Sequence, residues 1–249
     1  MCFSNHANVK KQKILTMTTK RYVYTPKTDS VGVNKKEVFF DWFSGFATIQ
    51  KQKSIESLHK NANKLYNLNR ILEISSKSLD PFGRQLSAFN LFLELENNKK
   101  FFMESIFQGS KVFDNGGPFV DLYHKSPIEA KRDERLKNSG NLIRFEFQNK
   151  IFDLKPRTLF YDWLYASIIN TDKKILRNII NYDGFTDIEF NPQRSINCQA
   201  YSAALVASLI KNNLLNQALI SVDSFKKILE KEYKEQDGNS AIQGLFKFQ

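Results

Sequence analysis

The segment Glu104-Ser-Ile-Phe-Gln-Gly-Ser-Lys111 constrains this chain more than any other stretch. If it is helical, Glu104, Phe107, Gln108 and Lys111 occupy positions i, i+3, i+4 and i+7 and share one face. Aromatic and aliphatic residues flank this stripe and would leave it little contact with water. The spacing suits a solvated helix face, but a polar stripe on an otherwise apolar helix is typical of a residue set that lines a site.

The composition favours a globular, largely helical domain. Hydrophobic residues make up 41% of the 249 residues and aromatic residues 13%, which is enough to fill a sizeable core. The chain has 22 Phe but only 10 Gly and 6 Pro, which argues against a sandwich of short, tightly turned strands. We therefore expect a mainly α structure with a few short strands, an α+β fold.

The net charge of +11 would attract a polyanion, and nucleic acid is the commonest polyanion that a basic protein meets. Much of the excess is dispersed lysine, which equally suits a solvated surface. Charge alone leaves both interpretations open.

Cysteine and histidine are too sparse for several classes of site. Cys2 and Cys198 lie far apart, without the spacing of a zinc site or a disulfide framework. His6, His59 and His124 are scattered, so we expect surface positions for them and neither a metal centre nor a Ser-His-Asp triad. We expect no metal and no cofactor.

The N-terminus lacks the apolar run of a signal peptide, and no stretch approaches the roughly 18 apolar residues of a membrane span. Together with the cysteine usage, this predicts a soluble protein of the reducing cytoplasm that does not enter a membrane.

The chain divides into three parts by composition. Residues 1–37 are polar and rich in Lys and Thr, which predicts a mobile basic arm or a DNA-contacting tail. Residues 38–220 show no linker and form the predicted catalytic domain, and residues 221–249 form a C-terminal helix and tail. Helical patterns cover about 55–70, 126–135, 160–169, 175–180 and 198–210, and strand patterns cover 71–74 and the second half of 86–95.

Four motifs in order resemble the NADAR family. Phe82-Gly-Arg-Gln-Leu-Ser-Ala-Phe89 is similar to that family's Gly-x-x-Ser-Asn-Phe opening, and Glu104–Lys111 is similar to its Glu-His-x-Phe-Gln-Ala-x-Lys segment. Ser126-Pro-Ile-Glu-Ala-Lys131 resembles its Ser-Pro-x-x-Ala-(Lys/Arg) helix start, and Thr186–Phe190 lies where the family has a Trp-Gly-Asp-like loop. The chain departs from the pattern at Ala88, where Asn is usual, and lacks the Trp-Gly part of the loop.

Two further segments, Phe39–Ile49 and Asp187–Cys198, resemble the NADAR branch encoded beside DNA ADP-ribosyltransferase toxins of the DarT type. The resemblance implies an antitoxin that removes ADP-ribose from guanine bases in DNA, with ADP-ribosylated DNA as substrate and a DarT-type toxin encoded nearby as partner. Two alternatives remain open: an N-glycosidase that acts on a small phosphorylated ribosylamine, and a non-catalytic antitoxin that binds toxin or modified DNA.

Removal of ADP-ribose from a base breaks a C–N bond at an anomeric carbon, through a transition state with oxocarbenium character. Glu104 and Asp187 are the candidate carboxyl groups to stabilise that cation, activate water or protonate the leaving amine. Lys111 is a candidate to attack the aldehyde of an opened ribose and hold it as a Schiff base, which requires a neutral amine and a lowered pKa.

The candidate substrate-binding residues fall into three chemical groups. The polar candidates contact hydroxyls or base edges, the aromatic ones stack on a base, and the basic ones pair with pyrophosphate or the DNA backbone. The aromatic candidates equally suit the core, the basic ones suit the surface, and the last asparagine equally suits a helix cap. They are Gln108, Ser87 and Asn197; Phe107 and Phe89; and Lys77, Arg84 and Arg132.

Overall fold

The computed structural model describes residues 16–45, 47–94, 99–191 and 195–242. A long antiparallel hairpin comes first, formed by β1 (Thr16–Pro26) and β2 (Val33–Phe43), and helix α1 (Thr48–Tyr66) follows it. The short elements before the central segment are β3 (Ile71–Glu73), α2 (Pro81–Gln85), β4 (Phe92–Glu94) and β5 (Lys100–Phe102).

The central part begins with the short helix α3 and continues into a small sheet. Its elements are α3 (Met103–Gly109), β6 (Lys111–Phe113), a 3-10 turn (Val120–His124), α4 (Pro127–Arg132), α5 (Arg135–Asn138), β7 (Leu142–Phe147) and β8 (Lys150–Phe152). The last part is mostly helical, with α6 (Leu159–Asn170), α7 (Lys173–Ile179), β9 (Gly184–Thr186), α8 (Gln199–Lys211), α9 (Leu215–Ala218), α10 (Val222–Ile228) and α11 (Glu230–Ile242). The prediction of a mainly α structure within an α+β fold is confirmed.

In the described part of the chain, the strands form three sheets. The largest has the order β2-β1-β9-β3, in which β9 runs antiparallel to β1 and parallel to β3. β4 pairs with β5, and β6-β7-β8 form a three-stranded antiparallel sheet. The parallel pairing of β3 with β9 matters for the site, because it brings the loop after β9 beside the loop after β3.

Two hydrophobic clusters lie on opposite faces of β1, because successive side chains of a strand point to opposite sides. Val23 packs with Val38, Phe40 and Ile55 beneath α1, in a second core. Tyr24 points the other way into the main core and meets the ring of Tyr201 on α8 edge-on, at 5.8 Å between centroids.

The prediction of a mobile arm over residues 1–37 is wrong for residues 16–37. This stretch supplies β1, the hairpin turn and the start of β2, and Val23, Tyr24 and Thr25 are all buried. Both faces of this part of β1 are covered, so its sequence has no simple alternation of apolar and polar residues. Residues 1–15 lie outside the described part of the chain.

Other element boundaries also differ from the expectation. The strand predicted in the second half of 86–95 is confirmed only for Phe92–Glu94, and Leu95 lies outside the described residues. The helix from Ser126 begins with the predicted capping box, yet ends at Arg132. Residues 221–242 form two helices, and 243–249 lie outside the described residues. No helix among the described residues is long and apolar enough to cross a membrane.

Candidate active site

The central segment forms a buried chain of hydrogen bonds from an acid to an amide to an amine. Glu104 and Gln108 lie one turn apart on α3, and Gln108 Nε2 donates to Glu104 Oε1 at 2.9 Å. Lys111 Nζ donates to Gln108 Oε1 at 2.6 Å, so both ends of the Gln108 amide are used. The Glu104 and Gln108 side chains are buried, with residue exposures of 5% and 6%. The interpretation of this stripe as a solvated face is therefore wrong.

Lys111 reaches Gln108 from a strand and not from the helix. α3 ends at Gly109, and Lys111 begins β6, where it pairs with Phe145 of β7. The expected i+7 helical position is thus incorrect, although the contact that it implied is present. Lys111 Nζ also lies 5.2 Å from the centroid of the Phe107 ring.

Burial, together with the charge of the nearby Lys131, lowers the pKa of Lys111 to about 8, against the opposing effect of Glu104. With a pKa near 8, about a tenth of the amine is neutral at pH 7. The side chain is therefore available both as a cation and as a nucleophile close to neutral pH.

Lys131, on the last turn of α4, completes this group. Its Nζ lies 3.3 Å from Glu104 Oε1 and 5.1 Å from the centroid of the Phe89 ring. The residue was part of the Ser-Pro-Ile-Glu-Ala-Lys motif but was not among the predicted site residues. Its neighbour Arg132 was predicted instead; both side chains are exposed, but Lys131 is the one that forms an ion pair with Glu104. Because adjacent helical residues point about 100° apart, only one of the two faces α3.

Asp187 holds the loop after β9 and contacts a residue that was not predicted. Its Oδ1 accepts from the backbone amides of Glu189 and Phe190, each at 3.0 Å, and its Oδ2 accepts from Gln199 Nε2 at 3.1 Å. Gln199 Oε1 in turn accepts from the Ala88 backbone amide at 2.6 Å. Sequence reasoning offered no signal for Gln199, because its partners are 12 and 111 residues away.

Gln199 and Ala88 connect the Asp187 loop to the Glu104 group. The Ala88 carbonyl accepts from the Glu104 backbone amide at 3.0 Å, so residue 88 lies between Gln199 and the start of α3. Both bonds use backbone atoms of Ala88. The departure from the family's usual Asn at this position therefore leaves the connection itself intact.

Burial, together with the neighbouring Glu73, raises the pKa of Asp187 to about 8, while the hydrogen bonds from Gln199 and from two backbone amides act in the opposite direction. Glu73 lies behind the loop: Oε1 accepts from the Ile188 amide at 2.8 Å, and Oε2 accepts from Thr186 Oγ1 at 2.6 Å. Two carboxyl groups therefore share a poorly hydrated region, which favours a protonated Asp187 at neutral pH.

His59 supports this arrangement from α1. Its Nε2 lies 2.8 Å from Thr186 Oγ1, and because that hydroxyl donates to Glu73, we assign the proton to Nε2. Burial lowers the pKa of His59 to about 4, so the ring is neutral. The prediction that all three histidines lie on the surface is therefore wrong for His59.

The remaining predicted binding residues lie in different environments. Arg84 donates through Nη1 to the carbonyls of Ser78 and Leu79 and braces that loop. Ser87 is buried, Lys77 is partly buried, and both lie in the segment between β3 and β4. Phe107 stacks on Phe145 and Phe160 within the main core, as its alternative interpretation expected.

Asn197 does not cap α8. The N-cap residue is Cys198, which makes no side-chain capping bond, so that alternative is incorrect. The Asn197 Oδ1 atom is buried and has no hydrogen-bond partner among the described residues. Contact with a ligand stays a prediction for this residue.

Within the described residues, no group of three or more His, Cys, Asp or Glu side chains has the arrangement of a metal site. No curated protein matches the chain. A family model described as DarT1-associated NADAR antitoxin matches residues 19–239, from β1 to α11, and so includes both the Glu104 group and the Asp187 loop. The chain therefore belongs to the family of DarT1-associated NADAR antitoxins, as its motifs suggested.

Proposed function

We propose that this antitoxin is a hydrolase that removes ADP-ribose from guanine bases in DNA. The observation that carries the proposal is the buried chain Glu104, Gln108, Lys111, with Lys131 beside it. Burying an acid and an amine together is unfavourable, so groups such as Glu104 and Lys111 are typical of functional sites, and the exposed Lys131 adds a second cation at 3.3 Å from the acid. The family's association with a DarT1 toxin supplies the context of the reaction.

Each group has a role that its environment supports. Glu104, whose Oε1 lies 3.3 Å from Lys131 Nζ, can stabilise the positive charge that develops at the anomeric carbon or activate a water molecule. Asp187, whose raised pKa favours the protonated form, can give a proton to the departing guanine nitrogen. One water molecule is consumed, and the products are DNA with an unmodified guanine and free ADP-ribose.

Lys111 supports a second route to the same products. When the ribose ring opens, C1 remains joined to the guanine nitrogen as an imine. The neutral amine of Lys111 attacks C1 and displaces the guanine amino group, which forms a Schiff base, and one water molecule then hydrolyses this to ADP-ribose and free Lys111. The lowered pKa and the 2.6 Å bond to Gln108 favour an amine that is both oriented and partly deprotonated. Borohydride reduction distinguishes the routes, because only a Schiff base leaves ADP-ribose attached to Lys111.

The first experiment measures ADP-ribose released from a guanine-ADP-ribosylated oligonucleotide in the presence of a chelator. We expect release by the wild type and a loss of at least about 100-fold in Glu104→Gln, which keeps the shape of the side chain but removes its charge. Glu146→Gln is the matched control, because Glu146 forms an ion pair with Arg144 on β7, with 29% of its side chain exposed. Full activity in a Glu104→Gln, Lys111→Ala double variant would refute the proposal.

The same double variant separates catalysis from binding in cells that carry the toxin. If it is folded and still protects them, the antitoxin acts by binding. A wild type that releases no ADP-ribose from DNA but cleaves a phosphorylated ribosylamine would identify the small-molecule glycosidase instead.

A further inference from the structure

A cavity of about 300 Å³ lies beside the candidate active site, between β1 and the loop after β9. Its lining includes Lys20, Arg21 and Tyr22 from β1, and Asp187 and Phe190 from the loop. The volume is at the lower end of the range for ligand pockets, about 300–1,000 Å³. It therefore suits one part of a substrate and not a whole ADP-ribosylated nucleotide.

Arg21 is a cation without a matching anion in this cavity. Its Nη1 donates to the Lys20 carbonyl at 2.9 Å, while its Nε atom is buried and has no hydrogen-bond partner among the described residues. Within the same residues, no carboxylate lies within ion-pair distance of its guanidinium. Burial lowers the pKa of Arg21, and the nearby Asp187 only partly opposes this. A buried, unsatisfied donor of this kind favours a bound anion.

The other lining residues suit a nucleoside attached to that anion. Tyr22 and Phe190 offer aromatic surfaces, and Lys20 adds a cation, although Glu37 accepts from it at 2.7 Å. Asp187 contributes a carboxyl group to the described lining of the cavity. Burial raises its pKa to about 8, which favours the neutral form at pH 7, and both of its oxygens already accept hydrogen bonds from protein groups, so it repels a bound anion little.

We propose that this cavity binds a nucleoside phosphate, with the phosphate against Arg21 and the ring system against Tyr22 and Phe190. The assignment rests on the proposed function, since Asp187 belongs both to the cavity and to the candidate active site. Two parts of the substrate contain a nucleoside phosphate: the adenosine diphosphate end of ADP-ribose, and the nucleotide next to the modified guanine in the DNA strand.

Equilibrium binding to the full chain tests the proposal with two separate probes, free ADP-ribose and an unmodified single-stranded oligonucleotide. We expect Arg21→Gln to weaken binding of one probe by about tenfold or more, because a charge-assisted hydrogen bond is lost. Lys20→Gln should weaken the same probe by a smaller factor, and this exposed residue serves if Arg21→Gln does not fold. Lys36→Gln is the control, since it removes a charge from the same hairpin but lies over Tyr66, 5.0 Å from the ring centroid.

The outcomes identify the source of the phosphate. Loss of ADP-ribose affinity alone assigns the cavity to the adenosine diphosphate end, and loss of oligonucleotide affinity alone assigns it to the DNA strand. Unchanged binding of both probes overturns the proposal, as does an oligonucleotide effect no larger than that of Lys36→Gln. Neither probe is hydrolysed, so binding through Arg21 without ADP-ribose release would contradict the proposed function alone.

Discussion

At the scale of single residues, the pKa of Lys111 depends on its burial and on two charged neighbours, Lys131 and Glu104. Burial and Lys131 lower its pKa to about 8, while Glu104 raises it. If the neutral amine attacks the substrate, turnover should rise about tenfold per pH unit below pH 8. A pH profile of kcat for ADP-ribose release measures this limb directly.

Lys131→Met tests whether the rising limb of the pH profile reports the titration of Lys111. Loss of this cation raises the pKa of Lys111, so the rising limb should move to higher pH, whatever happens to the maximal rate. Lys137→Met, an exposed lysine on α5, should leave the limb in place. A limb that does not move in Lys131→Met would indicate that Lys111 does not titrate in this range.

Residue spacing alone predicted the contact between Glu104 and Gln108, because four residues are one turn of a helix. The chain does not carry an equally local signal for Gln199 or for Lys131, whose contacts join separate elements. Spacing also predicted the contact of Lys111 with Gln108, and this contact is present. The predicted helical position of Lys111 is wrong, because Lys111 belongs to strand β6. Sequence spacing therefore predicts contacts between side chains of one helix or strand. Contacts between side chains of different elements depend on the tertiary fold, which spacing does not reveal.

At the scale of elements, β3, β9 and α1 fix the Asp187 loop through Thr186. The Thr186 hydroxyl donates to Glu73 Oε2 at 2.6 Å and lies 2.8 Å from His59 Nε2. Thr186→Val keeps the shape but leaves the buried Glu73 and His59 without this partner. We expect the free energy of unfolding to fall by about 1–3 kcal/mol in urea titration. Thr186→Ser keeps the hydroxyl, and an equal loss in both variants would contradict this explanation.

The strands that sequence reasoning missed have different physical causes. β1 is covered on both faces near Val23 and Tyr24, and β6 and β8 have only three residues each, so none of the three shows the alternation that marks a half-buried strand. β7 does alternate, with Phe145 and Phe147 buried, and this signal was missed. The capping box at Ser126 was predicted correctly, because both of its hydrogen bonds lie within one turn. What the sequence could not supply was the hairpin that forms one wall of the proposed nucleotide cavity.

At the scale of the whole molecule, β1 joins the two hydrophobic cores. Val23 packs in the second core and Tyr24 in the main one, so neither core is complete without this strand. The two tryptophans lie one in each region: Trp42 packs against the second core, and Trp163 is buried in the main core. If β1 makes the domain one cooperative unit, both regions should unfold together.

Single-tryptophan variants test this cooperativity. Trp163→Phe leaves Trp42 to report on the hairpin region, and Trp42→Phe leaves Trp163 to report on the main core. In each variant, we expect the urea midpoint from tryptophan fluorescence to coincide with the midpoint from circular dichroism, because loss of β1 disrupts both cores at once. A Trp42 signal that changes at distinctly lower urea would show that the hairpin detaches first. The cavity that contains Arg21 would then open and close independently of the Glu104 group.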